Sequence, residues 1–147
     1  MTPIDIEIIR RKLSTIMENL DLLRPITSLS FADYEEDVYR RKATERMVQI
    51  IVEAGVDVCT HLLVGTGHPA PADNYHAFLD LAEKSRVIDL PLAQALAPSA
   101  GLRNRLVHEY ERINDRMVFQ AVSRALELFP RFVQAVSNHL QKIEERR

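Results

Sequence analysis

The sequence predicts an all-α, antiparallel bundle of four to five helices. Apolar residues recur at steps of three and four along nearly the whole chain, the period of a helix with one buried face. No stretch alternates apolar and polar residues as a half-buried strand would. Only 4 glycines and 7 prolines occur in 147 residues, few enough to leave long uninterrupted segments.

The elements follow in order. Thr2 before Pro3 reads as an N-cap and a first helical residue. Ile4, Ile8, Ile9, Leu13, Ile16, Leu20 and Leu23 then mark one face to about Arg24, where Pro25 stops the helix. A Ser-rich turn, Thr27 to Ser30, leads into Asp33-Tyr34-Glu35-Glu36-Asp37, which reads as a short helix of its own. The second long helix starts between Tyr34 and Ala43 and runs to about Val64, with Met47, Ile51, Gly55, Val58 and Leu62 as its stripe. Gly55 weakens that helix unless a neighbour packs closely against it. Gly65 to Pro71 is a loop, and Asp73 or Asn74 caps a third helix reaching about Lys84. Pro91 opens a fourth, which Pro98 and Gly101 divide before it continues through Arg112. Asn114-Asp115 starts the last helix, whose stripe runs from Val118 to Ile143, and Pro130 bends it by removing the bond back to Leu126. Short connections between amphipathic segments make this a bundle, and residues 1–147 show neither a repeat nor a second domain.

Charge and composition narrow the function. With 19 Lys and Arg against 21 Asp and Glu, the net charge of -2 excludes a bulk polycation, so nucleic-acid contact must come from a local cluster. Cys59 is the single cysteine, which excludes an internal disulfide and favours a reducing compartment. Asp5 and Glu7 stand where a signal peptide carries basic residues. No apolar run approaches the roughly 18 residues that a bilayer span requires. A soluble, cytoplasmic protein without a membrane partner is the expectation.

One segment departs from ordinary bundle sequence: Arg103-Asn104-Arg105-Leu106-Val107-His108-Glu109-Tyr110. At about 100° per residue, Leu102, Leu106 and Ile113 fall together toward the core. Asn104 and His108 are neighbours on one face, Arg103 lies one step to the side, and Tyr110 sits at the edge on Arg103's flank. These side chains suit cleavage of an RNA phosphodiester by its own 2′-OH. Histidine is the base whose ordinary range lies nearest neutrality. An arginine fork is always protonated and matches the oxygens that gather charge in the transition state. Asn104 can fix the imidazole tautomer or donate to a phosphate oxygen. Arg103 supplies the neutralising charge and His108 the deprotonation, so the scheme calls for no metal and no cofactor. One histidine supplies a base but no acid for the leaving 5′-oxygen; two copies facing each other across a two-fold axis supply both, which points to a homodimer.

Arg103-x4-His108-x-Tyr110, written RNRLVHEY, near the end of an all-helical chain of this length, resembles the HEPN superfamily. Within it the pattern is similar to the HepT-like toxins, whose hallmark is R-x4-H-x-Y. The similarity extends over the chain in helix order and includes ER..QIIVEA…H between Glu45 and His61. The resemblance implies a homodimeric, metal-independent endoribonuclease toxin acting on RNA and not DNA. In it Arg103 and His108 are catalytic and Asn104 is the polar residue that follows the arginine. It also implies a type VII toxin–antitoxin pair, with a minimal nucleotidyltransferase antitoxin (MntA-type) that transfers AMP from ATP to Tyr110. AMP there would place bulk and negative charge beside the cleft, repelling RNA and competing for Arg103.

Plainer readings accompany each feature. Arg105, Arg112 and Arg116 extend a phosphate-binding surface or, among Glu109, Glu111 and Asp115, form a solvated face. Asp57 and His61 support the site or form an ordinary partly buried pair. His68 and His76 lack a convergent partner for a metal, and Gly65-x-Gly67 follows a helix and lacks a P-loop lysine. Cys59 reads as a packed, inert thiol, and Phe129 and Phe132 read as core. The rival functions are a catalytically silent helical partner of a nucleotidyltransferase and a plain dimerisation module. Expression of the chain alone separates the first from a toxin, because only a toxin arrests growth.

Overall fold

The computed structural model describes residues 4–146. Among them are six α-helices and no strand: α1 (Ile6–Leu23), α2 (Phe31–Glu36), α3 (Val38–Gly65), α4 (Asn74–Asp80), α5 (Leu90–His108) and α6 (Asp115–Glu145). The bundle expected from apolar spacing is the fold observed. Helix starts follow cap chemistry: Asp5, Ser30, Asp37, Asp73, Asp89 and Asn114 each accept a hydrogen bond from a first-turn N–H. Thr2 and Pro3 lie outside the described residues, and the first helix begins at Ile6 behind Asp5. At its other end, a 3-10 turn, Arg24–Ser28, carries the chain past Pro25.

The long helices α1, α3 and α6 share a core, with α1 laid along both α3 and α6. Ile9, Leu13, Ile16, Leu20 and Leu23 are the buried face of α1, as the spacing predicts. Helix α3 is long and apolar enough to cross a membrane by length and composition, with mean hydropathy 1.6 over its best window. Individual polar residues interrupt that window, so no continuous apolar run announces it. Half the window is buried inside the bundle, and burial on several sides accounts for its composition.

Phe78 anchors α4 against α6. It is fully buried and meets Phe129 and Phe132 of α6 edge-on, with centroids 6.2 and 5.6 Å away. Gly55 on α3 makes room for both helices: a Cβ there would lie 3.1 Å from Phe129 and 3.3 Å from Phe78. The helix-weakening glycine is thus explained by close approach. Helix α4 also packs on α5, which brings Asn74, its first residue, beside the C-terminal part of that helix.

Two expectations for the fourth helix are corrected. Pro98 and Gly101 do not divide it; α5 runs unbroken from Leu90 to His108 with Pro98 inside. Pro98 is exposed, so the carbonyl it leaves unpaired faces water, while Ala93, Leu96, Ala97, Ala100 and Leu102 seat both halves in the core. Nor does the helix continue through Arg112. It closes at His108, with the Glu109 N–H returning to the Arg105 carbonyl at 2.8 Å, and a separate 3-10 turn, Tyr110–Arg112, follows. Only five residues then remain before α6 must begin behind Asn114, so the chain must turn at once.

Candidate active site

Helix α5 presents Arg103 toward α3. Its Nε donates to one carboxylate oxygen of Glu53 at 3.0 Å, and Nη2 forms an ion pair with the same oxygen at 2.9 Å. Gln49, one turn earlier on α3, donates to the same oxygen at 3.0 Å. On the other side, Arg103 Nη1 donates to Asn104 Oδ1 at 3.2 Å, and Asn74 Nδ2 donates to that oxygen at 3.4 Å. The guanidinium therefore sits between α3, α5 and the start of α4.

Partial burial works to raise the Glu53 carboxyl. The hydrogen bonds from Gln49 and Arg103, with the charges of Arg103 and Arg46, outweigh it and hold the group below its ordinary value. Glu53 stays ionised, and Arg103 keeps its partner.

A guanidinium has five N–H donors. Glu53 takes the Nε–H and Asn104 one N–H of Nη1, which leaves N–H groups on both terminal nitrogens. N–H groups on the two terminal nitrogens of a guanidinium can pair with two oxygens of a phosphate.

His108, the last residue of α5, is exposed one turn beyond Asn104 and makes no side-chain hydrogen bond among the described residues. Tyr110 stands in the following turn, 65% exposed. The helix ends before Tyr110, so the placement on Arg103's flank that an unbroken helix would give does not apply to it.

The flanking arginines divide. Arg105 donates to the Met117 sulfur at 2.9 Å across to α6 and lines an apolar cavity of about 340 Å³ with Val52, Leu96, Leu102 and Phe129. Arg103, Asn104 and His108 stand outside that cavity, Asn104 and His108 exposed and Arg103 partly buried. Arg112 is exposed in the 3-10 turn and forms no ion pair among the described residues. Arg116 lies over the Phe31 ring at 4.1 Å and belongs to the α2–α6 contact.

Asp57 pairs with Lys12 of α1 at 3.1 Å, not with His61, because the exposed face of α3 that carries it runs beside α1. Cys59 is fully buried and burial pushes its thiol up, as a packed, inert cysteine requires. His76 Nδ1 lies 2.8 Å from Asp73 Oδ1, within the cap of α4. Among the described residues no group of three His, Cys, Asp or Glu is placed to hold a metal ion.

Glu53, Gln49 and Asn74 are the members of the site that the motif does not contain. Glu53 had one visible signal: an acidic residue inside the apolar run of α3, four after Gln49, on the helix that must cover α5.

The family model for HepT-like ribonucleases matches residues 16–136. The chain belongs to the HepT-like ribonuclease family. As such it is an endoribonuclease, and the resemblance carried by RNRLVHEY is borne out. The tRNA nuclease HepT of Aphanizomenon flos-aquae is 37% identical over 145 residues, covering 99% of this chain and 98% of the relative. The mRNA nuclease HepT of Shewanella oneidensis is 25% identical over 130 residues, covering 88% and 96%. Among solved structures, a tri-AMPylated Shewanella oneidensis HEPN toxin in complex with an MNT antitoxin is similar in fold, with TM-score 0.80 at 24% identity over 91% of this chain and 99% of that one. A Bacillus subtilis cytosolic protein of unknown function shares the fold at TM-score 0.84 and 15% identity, over 97% and 94%.

Proposed function

We propose that this HepT-like ribonuclease is a cytoplasmic, homodimeric toxin that cuts RNA without a metal ion, using Arg103 and His108. The observation that carries the reading is the Arg103 fork, held by Glu53 and Asn104 with N–H groups left over on its terminal nitrogens, on the same helix as an exposed His108. His108 takes the proton of a ribose 2′-OH, and the 2′-oxygen attacks the adjacent phosphorus. The pentacovalent centre gathers charge on oxygens that the free N–H pair of Arg103 neutralises. The bond to the 5′-oxygen breaks, leaving a 2′,3′-cyclic phosphate and a 5′-OH. The departing oxygen takes its proton from the second copy's imidazole, and so the reading requires a dimer. The exposed flank at Asn104 and His108 fits this arrangement, since a partner chain and the RNA would cover it. Exposed Arg105 and Arg112 would meet flanking phosphates. The named tRNA and mRNA nucleases among the relatives support RNA as the substrate.

The antitoxin is a minimal nucleotidyltransferase that modifies Tyr110. The phenolic oxygen attacks the α-phosphorus of ATP, pyrophosphate leaves, and the proton passes to solvent. Exposure of Tyr110 in a turn beside the histidine supports this, as does the kinship in fold with a toxin–antitoxin complex. The test is a mass spectrum of the chain co-expressed with such an enzyme. Mass added in AMP units at Tyr110, together with growth arrest when the chain is expressed alone, is the expected result. An unmodified chain that cells tolerate contradicts it.

A further inference from the structure

We infer that Glu53 is a positioning residue for RNA cleavage: its carboxylate on α3 fixes the plane of the Arg103 guanidinium so that the remaining N–H pair faces the phosphate. The inference rests on the catalytic reading of Arg103. Three observations carry it. The contact joins residues on two different helices, so it sets the arginine relative to the bundle and not merely along α5. Both Nε and Nη2 converge on a single oxygen, a geometry that blocks rotation about the last bonds of the side chain. That oxygen is itself anchored by Gln49, at 3.0 Å. Asn74 and Asn104 complete the enclosure on the side away from Glu53.

The arrangement has an opposing cost that makes it testable. A carboxylate beside the guanidinium cancels part of its attraction for any phosphate, whether or not the phosphate is reacting. Glu53 therefore weakens ground-state binding while aiming the arginine at charge that grows in the transition state. A residue that merely held helices together would do neither selectively. Removing Glu53 should slow the chemical step and leave RNA binding as tight or tighter.

The experiment compares wild type, Glu53→Ala, Glu53→Gln, Glu53→Asp and Arg103→Ala. It reads the single-turnover cleavage rate at saturating protein, the Kd for an uncleavable 2′-deoxy-substituted RNA, and helicity. Glu53→Ala should cleave about tenfold or more slowly, in line with the loss of an orienting contact, with an unchanged or lower Kd. Glu53→Gln retains an acceptor oxygen and should recover part of the rate. Glu53→Asp keeps the charge but withdraws it by one methylene, and should be slow without weaker binding even if the alanine variant does not fold. Wild-type rates in Glu53→Ala or Glu53→Asp beside an inactive Arg103→Ala would overturn the inference alone. So would a rate loss matched by weaker RNA binding and not relieved by Gln. Wild-type cleavage by Arg103→Ala would overturn the catalytic reading and this inference with it.

Discussion

Arg103 and Glu53, fifty residues apart in sequence, meet where α5 crosses α3, with two guanidinium nitrogens on one carboxylate oxygen at 3.0 and 2.9 Å. This contact turns a flexible surface arginine into a fixed one. It also explains why a bundle helix otherwise committed to the core carries an acid at that point.

Substituting either half of the motif should abolish cleavage without unfolding the chain. Arg103→Ala and His108→Ala are each expected to lower the cleavage rate about a hundredfold or more, by loss of charge stabilisation and of the base respectively. Circular dichroism should show unchanged helicity, because His108 is exposed and Arg103 only partly buried. Near wild-type cleavage by folded His108→Ala would remove its role.

Acid should weaken the Arg103–Glu53 tie. The folded carboxyl is held below its ordinary value of 4.5, so its contribution to stability is fully present above that value. It is lost as the pH falls through the lower folded value. In urea melts from about pH 6 to about pH 3, wild type should exceed Glu53→Gln at the top of the range and converge on it at the bottom. A gap that stayed constant or widened on acidification would contradict the assignment.

Gly55 should not tolerate a branched side chain. Its missing Cβ is already 3.1 Å from Phe129, so the added methyls of Gly55→Val would overlap rings that have nowhere to go. A destabilisation of about 1–3 kcal/mol is expected from overpacking. Denaturant melts measure it, and a more stable variant would show the α3–α6 approach to be looser than described.

Cys59 should report unfolding. With the thiol fully buried and pushed up, iodoacetamide should label it only as fast as the protein opens. Rapid labelling of the native protein would place the thiol at the surface.

The sequence displayed the helices because apolar spacing is a local record of burial, and the stripes of α1 and α6 match their buried faces. Arg103, Asn104 and His108 were legible as a motif because they are close in sequence on one helix, α5. Glu53 and Asn74 were not, since their partners lie on other helices and only packing shows which faces meet. Proline and glycine misled at α5. Their local penalty at Pro98 and Gly101 is small beside the apolar face that holds the helix straight through. The end of α5 at His108 was hidden too, because nothing in Glu109-Tyr110 stops a helix; the need to reach the next cap does.

The most direct test of the account is the chemistry of the ends it leaves. Purified protein, free of antitoxin and in excess chelator, should cut RNA to a 2′,3′-cyclic phosphate and a 5′-OH, and should leave 2′-deoxy-substituted RNA intact. Fragments ending in 3′-OH and 5′-phosphate, or cleavage of the deoxy strand, would contradict a mechanism built on Arg103, His108 and the ribose hydroxyl.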